Sequence, residues 1–227
     1  MSITNPIEPF LKPRSVAIVG APRGTGRGSF NVAENLLELG FEGQIYPVNP
    51  NMDSILGLRV YPLVKALPLG IDLAIVMVSR QAVPQVITQA IDRGIKRFIV
   101  VTEGFAEADE EGKALQSKIV TIAKEQRARI IGPNSVGVIN SFHNFSSSPI
   151  ASQIKTNPIA FVCQSGGFLE GFSEFVPGKS IDLGNMCDID FAEMLEYLEN
   201  DPEIKIIALH IEGLKDGKRF LQVATRV

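Results

Sequence analysis

Short apolar runs alternate with helix-length amphipathic segments along most of this chain, the pattern of a parallel sheet covered by helices on both faces. The first run, Val16-Ala17-Ile18-Val19, ends at Gly20. A helix follows from about Phe30 to Leu39, stopped by Gly40. Gln44 to Val48 predicts the second strand, which runs into the turn Asn49-Pro50-Asn51. Arg59 to Tyr61 predicts a short strand, and Asp72 to Val78 the most buried one. Ala82 to Arg93 places Val83, Val86, Ile87, Ala90 and Ile91 on one helical face. A strand from Arg97 to Val101, a helix from about Glu110 to Gln126 and a strand from Arg129 to Gly132 complete the series. Right-handed crossovers wind such a series into a Rossmann-like sheet.

A polar segment, Asn140 to Thr156 with Ser146-Ser147-Ser148, then reads as a linker. After it come a strand at Ile159–Val162, a helix near Gly167–Phe175, a helix at Phe191–Leu198, a strand at Ile204–Leu209 and a last helix from Asp216. Only about two of these segments are strong strands, fewer than a doubly wound domain needs. The expected fold class is α/β: a Rossmann-like domain over 1–139, then a second α/β domain over 140–227 that is incomplete, as if cut mid-domain.

Composition narrows the function classes. Hydrophobic residues make up 45% and charged residues 21% of the 227, which excludes a disordered or collagen-like chain. The net charge is −3 with no basic block, which argues against a nucleic-acid partner. No apolar stretch of about 18 residues exists to span a membrane. Pro6, Glu8, Pro9 and Pro13 interrupt any apolar signal core. Two cysteines, Cys163 and Cys187, make neither a disulfide framework nor a zinc site. A cytoplasmic, soluble protein is expected.

The segment Gly20-Ala21-Pro22-Arg23-Gly24-Thr25-Gly26-Arg27-Gly28 joins the first strand to the first helix. Glycines there let backbone N–H groups approach a phosphate at a helix N-terminus, and Arg23 and Arg27 add cationic donors. The alternative is a tight turn with no ligand. The glycine spacing does not match the dinucleotide fingerprint, and Asn49-Pro50-Asn51 stands where an NAD enzyme carries an acid for the ribose. No Gly-Lys-Ser/Thr follows, so a P-loop is excluded too. The residues point to a phosphate-bearing ligand of another kind.

Several short motifs follow one another in order: Ser15-Val16-Ala17-Ile18-Val19-Gly20-Ala21, Tyr46-Pro47-Val48-Asn49-Pro50, Ile55-Leu56-Gly57 and Val101-Thr102-Glu103-Gly104-Phe105. Ile131-Gly132-Pro133-Asn134-Ser135, Gln164-Ser165-Gly166-Gly167, Leu183-Gly184-Asn185 and Ile211-Glu212-Gly213 continue the series. Together they resemble the α part of the NDP-forming acyl-CoA synthetases, and the resemblance covers nearly the whole chain. It implies coenzyme A in the first domain and a flavodoxin-like second domain. Gly24, Thr25, Gly26, Arg27 and Gly28 would hold CoA phosphates. Pro50 and Asn51 would lie beside the adenine or ribose. Val101, Thr102 and Glu103 would line the pantetheine path, and Asn134 would help close it.

The resemblance also implies the reaction: carboxylic acid, CoA and a nucleoside triphosphate give acyl-CoA through a phosphohistidine and an acyl phosphate. Gln164, Ser165, Gly166 and Gly167 would offer backbone N–H groups to the phosphohistidine, and Glu212 would orient it. Read without the family, Ser165 is a poor nucleophile elbow, since Cys163 stands where glycine is required. The family's histidine loop lies well beyond Glu212, whereas the sequence ends at Val227. His143 reads as a loop residue and His210 as a strand-end residue, so neither is assigned its role. ATP, ADP and magnesium would enter only through an ATP-grasp domain or subunit, and an oligomer is expected. The chain alone should be inactive. A CoA-binding regulatory module, such as that of a protein lysine acetyltransferase, is the alternative.

Overall fold

The computed structural model describes residues 5–26, 30–150, 154–167 and 176–227. Five parallel strands build the first sheet: β1 (Ser15–Val19), β2 (Gln44–Val48), β5 (Leu73–Val76), β6 (Arg97–Val100) and β7 (Arg129–Ile131), in the order β2-β1-β5-β6-β7. The order reverses between β1 and β5, which opens a crevice at their C-terminal ends. Between them, β3 (Ser54–Ile55) and β4 (Leu58–Arg59) form a small antiparallel hairpin instead of the single strand expected at Arg59–Tyr61. Tyr61 makes only an isolated bridge to Val48.

Local chemistry sets the helix bounds. The first crossover helix, Val32–Glu38, begins two residues later than expected because Asn31 caps it, accepting from the Ala33 and Glu34 N–H groups. Asp109 caps Glu110–Glu125 through the Gly112 N–H. Helix Val83–Asp92 buries Val83, Ile87, Ala90 and Ile91 against the sheet, as its periodicity requires.

The second sheet corrects the sequence reading. It has five strands in the order β12-β10-β11-β8-β9, where two strong ones were expected. β10 (Ile159–Cys163) pairs in parallel with β11 (Lys179–Asp182) and β12 (Ile206–His210). The antiparallel edge comes from β8 (Val138–Asn140) and β9 (Phe145–Ser146), out of the segment read as a linker. That segment is polar yet buried: the Ser147 hydroxyl accepts from the Val138 N–H at 2.7 Å, and the Ser148 carbonyl accepts from Asn35 Nδ2 at 3.0 Å. The helix expected near 167–175 lies largely outside the described residues.

One apolar cluster runs through both sheets, joining Val16, Ile18 and Ile75 of the first to Val138, Val162 and Ile181 of the second. Polar contacts seal the same junction. The Arg129 guanidinium grips Asp188 (2.9 and 3.1 Å) and Glu193 (2.6 and 2.7 Å) with paired hydrogen bonds. Among the described residues, no helix is long and apolar enough to cross a membrane.

Candidate functional site

Three parallel strands of each sheet, β5, β6 and β7 of the first and β10, β11 and β12 of the second, end at one cavity of about 830 Å³. From the first sheet come Met77 and Val78 after β5, Val101, Thr102 and Glu103 after β6, and Asn134, Ser135 and Val136 after β7. From the second come Gln164, Ser165 and Gly166 after β10, Asp182 at the end of β11, and Glu212 after β12. Phe30 and Pro149 complete the lining.

Backbone bonds fix the walls. The Thr102 carbonyl accepts from the Asn134 N–H at 3.0 Å, and Asn134 adopts a left-handed conformation at φ +57°. Thr102 Oγ1 donates to the Val78 carbonyl at 2.7 Å. Across the cavity, Gln164 Oε1 accepts from the N–H groups of Glu212 and Gly213. Gly166 must be glycine on grounds of space, since a Cβ there would lie 2.6 Å from the Val136 side chain.

The glycine loop lies beside the end of β2. Arg23 Nη2 donates to the Asn51 carbonyl at 2.9 Å, and Asn49 Nδ2 donates to the Ala21 carbonyl at 2.8 Å. Gly24, Thr25 and Gly26 are therefore near Pro50 and Asn51, and none of these five lines the 830 Å³ cavity. Arg27 and Gly28 lie outside the described residues. Gly26 sits at φ +90° with open space where a Cβ would point, so its need for glycine is conformational and not steric. Both Glu34 carboxylate oxygens accept from the Gly26 N–H, at 2.7 and 2.9 Å, so this loop already holds an anion of the chain's own.

The electrostatics differ from a simple anion cradle. Glu103, Asp182 and Glu212 line the cavity, and none of its described lining residues is basic. Burial pushes the Asp182 carboxyl up to about 6, and the Glu212 charge adds to the shift. Burial likewise raises the Cys163 thiol to about 12, so it is no nucleophile at neutral pH. The Ser165 N–H, one of the expected anion donors, is turned toward that sulfur. Gly167 is exposed and does not line the cavity. The three carboxylates do not converge as a metal site, since no such cluster occurs among the described residues.

Residues 14–141 match the model of a CoA binding domain, and residues 156–227 that of a succinyl-CoA ligase like flavodoxin domain. The chain belongs to the NDP-forming acyl-CoA synthetase family. It is 39% identical to the α subunit of the ADP-forming acetate–CoA ligase II of Pyrococcus furiosus, over 96% of this chain and 49% of that one. It is 38% identical to the ADP-forming acetate–CoA ligase II of Archaeoglobus fulgidus, over 94% of this chain and 33% of that one. The chain thus spans half or less of these curated relatives. Among solved structures, a Pyrococcus horikoshii OT3 protein superposes with a TM-score of 0.89 at 37% identity, covering 97% of this chain and 52% of the other. The dinucleotide forming acetyl-coenzyme A synthetase 1 of Ca. Korarchaeum cryptofilum, solved with phosphate and ADP, gives 0.89 at 29% identity, covering 98% and 49%.

Within this family portion, the sequence named most of the polar residues that the cavity gathers, and it missed Asp182. A lone Asp before Leu183-Gly184-Asn185 looks like an ordinary turn acid. Its register opposite Cys163, which carries it to the sheet's C-terminal edge, is visible only in the fold. Neither histidine lines the cavity: His210 ends β12, and His143 lines a separate groove with Lys12 and Arg14.

Proposed function

We propose that this chain is the CoA-binding portion of an ADP- or NDP-forming acyl-CoA ligase. One observation carries the reading: a single cavity gathers Val101, Thr102, Glu103 and Asn134 at the C-terminal ends of one sheet, and Gln164, Ser165, Gly166 and Glu212 at those of the other. The glycine loop at Gly24–Gly26, with Arg27 and Gly28, takes the CoA phosphates, and Pro50 and Asn51 take the adenosine end. Gly26, open toward solvent with a donating N–H, suits that role once Glu34 yields its place.

The pantetheine arm then runs past Val101, Thr102 and Glu103 so that the thiol reaches the shared cavity under Asn134. Gln164, Ser165 and Gly166 form the floor on which a phosphohistidine would dock, with Gly167 next in the chain but outside the lining, and Glu212 pairs with the docked imidazole. A cavity lined with carboxylates favours an imidazolium over a bare phosphate, since like charges repel. The histidine loop belongs to the family's α part, well beyond Glu212, while the nucleotide and its magnesium enter through an ATP-grasp domain or subunit; residues 1–227 by themselves are expected to make no acyl-CoA. The division into units 1–139 and 140–227 belongs to this reading, with the strand Val138–Asn140 crossing it into the second sheet. Calorimetric titration tests it: CoA should bind one-to-one, and NAD should give no heat at the same concentrations.

A further inference from the structure

Asp182 is 1% exposed, yet it is among the residues that line the cavity. Its hydrogen bonds hold the chain between β7 and β8. Oδ2 accepts from the Val136 N–H at 2.8 Å, the Asp182 carbonyl accepts from Ser135 Oγ at 2.5 Å, and the Asp182 N–H donates to the Gly137 carbonyl at 3.0 Å. Oδ1 meanwhile accepts from the Gly184 N–H at 3.0 Å, in the next turn of its own chain. Gly184 packs so close to the Asn134 carbonyl that a Cβ on it would lie 2.4 Å away. One carboxylate thus joins the turn that carries Asn134 to the turn that follows β11.

We propose that Asp182 is a positioning residue of the cavity: its ionised carboxylate holds the Asn134–Gly137 turn against the Leu183–Gly184 turn, and protonation releases one side of that hold. The ionised group offers an acceptor to each N–H, whereas a protonated one turns an oxygen into a donor and leaves one N–H facing it. Its titration falls in a reachable range because burial and the Glu212 charge both oppose ionisation.

The other groups around it leave the attribution clear. Glu103 and Glu212 are the other titratable groups among the described lining residues, and the Cys163 thiol opposite on β10 stays neutral. His210 lies one strand further on, in register with Cys163. Lys179, at the far end of β11, is paired with Asp201 and Glu203.

The role rests on the reading of this cavity as the place where the reactive end of CoA works, and its test does not depend on CoA. In amide NMR of the whole chain without ligand, the Val136 and Gly184 N–H signals should titrate together with a midpoint at about pH 6. Asn134, on the same turn, should follow them. Asp182→Asn should abolish the shared step. Glu212→Gln, which leaves Asp182 in place, should move the midpoint down and keeps the test open if the first variant does not fold. Amides that titrate apart, or not at all between about pH 4.5 and 7.5, would overturn the proposal. In a parallel titration, CoA affinity of the wild type should drop about tenfold from pH 7.5 to 5, beyond the change in Asp182→Asn, as expected for one charged hydrogen bond. Failure of CoA to bind at either pH, with the amides titrating together, would sink the CoA-ligase reading and leave the Asp182 hold standing.

Discussion

Gln164 Oε1 accepts two hydrogen bonds, from the backbone N–H groups of Glu212 and Gly213, each at 3.0 Å. Residues from the ends of two neighbouring strands, β10 and β12, are thereby tied so that Glu212 enters the cavity from a fixed point. Gln164→Ala should free both N–H groups. Because water reaches them, the stability cost should stay below about 1 kcal/mol, while hydrogen exchange at Glu212 and Gly213 should speed up clearly. Unchanged exchange would mean that the strand end positions Glu212 without help from Gln164.

Gly26 offers a test of conformation against space. Its φ of +90° disfavours any side chain, and nothing lies within 4 Å of a Cβ placed there. Gly26→Ala and Gly26→Leu should therefore weaken CoA binding by similar factors, which calorimetry can compare. A loss confined to the leucine variant would point to a steric role.

The pH dependence of stability carries a sign that ordinary carboxylates do not. The Asp182 carboxyl is raised from 3.8 to about 6 in the fold, so its contribution is fully present below pH 3.8 and is lost as pH rises through 6. The whole effect is about 3 kcal/mol. On going from pH 7 to 4.5, the wild type should gain about 2 kcal/mol relative to Asp182→Asn in denaturant titrations. A relative loss on acidification would show that Asp182 ionises more easily in the fold than in the open chain.

Arg129 is one of the polar fastenings between the two halves. Its two carboxylate partners hold it charged, and its side chain is 25% exposed. Arg129→Ala leaves Asp188 and Glu193 facing each other without a cation and should cost about 1–3 kcal/mol. Arg129→Lys should recover only part of this, because one ammonium cannot make two paired contacts. Equal stability of the lysine variant and wild type, by thermal unfolding, would show that charge alone suffices.

Both histidines should stay unmodified when the chain is incubated with labelled ATP. His143 Nε2 lies 3.7 Å from Glu203, and burial lowers its pKa, while His210 lies outside the cavity lining. Stable label on either residue would contradict the reading that neither His143 nor His210 is the phosphorylated histidine.

The first sheet was legible because its central strands are buried on both faces, and runs such as Leu73–Val76 carry that burial openly. The second was not. β11 reads Lys-Ser-Ile-Asp, yet all four residues are buried, Lys179 by pairing with Asp201 and Glu203 and Asp182 by its backbone partners. Polar strands of that kind look like loop. The same holds for Ser146, Ser147 and Ser148, whose hydroxyls and backbone are satisfied inside the fold. In the cavity, Thr102, Asn134, Gln164 and Glu212 stood out by motif. Phe30, Met77 and Pro149 carry no chemical signature, and only the folded chain brings them to the same place.

Hydrogen exchange with and without CoA tests most directly whether the two sheets serve one site. CoA should slow exchange in the 24–26 loop and also at Thr102, Asn134, Gln164 and Glu212, on both sides of the cavity. Protection confined to the 24–26 and 49–51 segments, with Asn134 and Gln164 unchanged, would contradict a shared site.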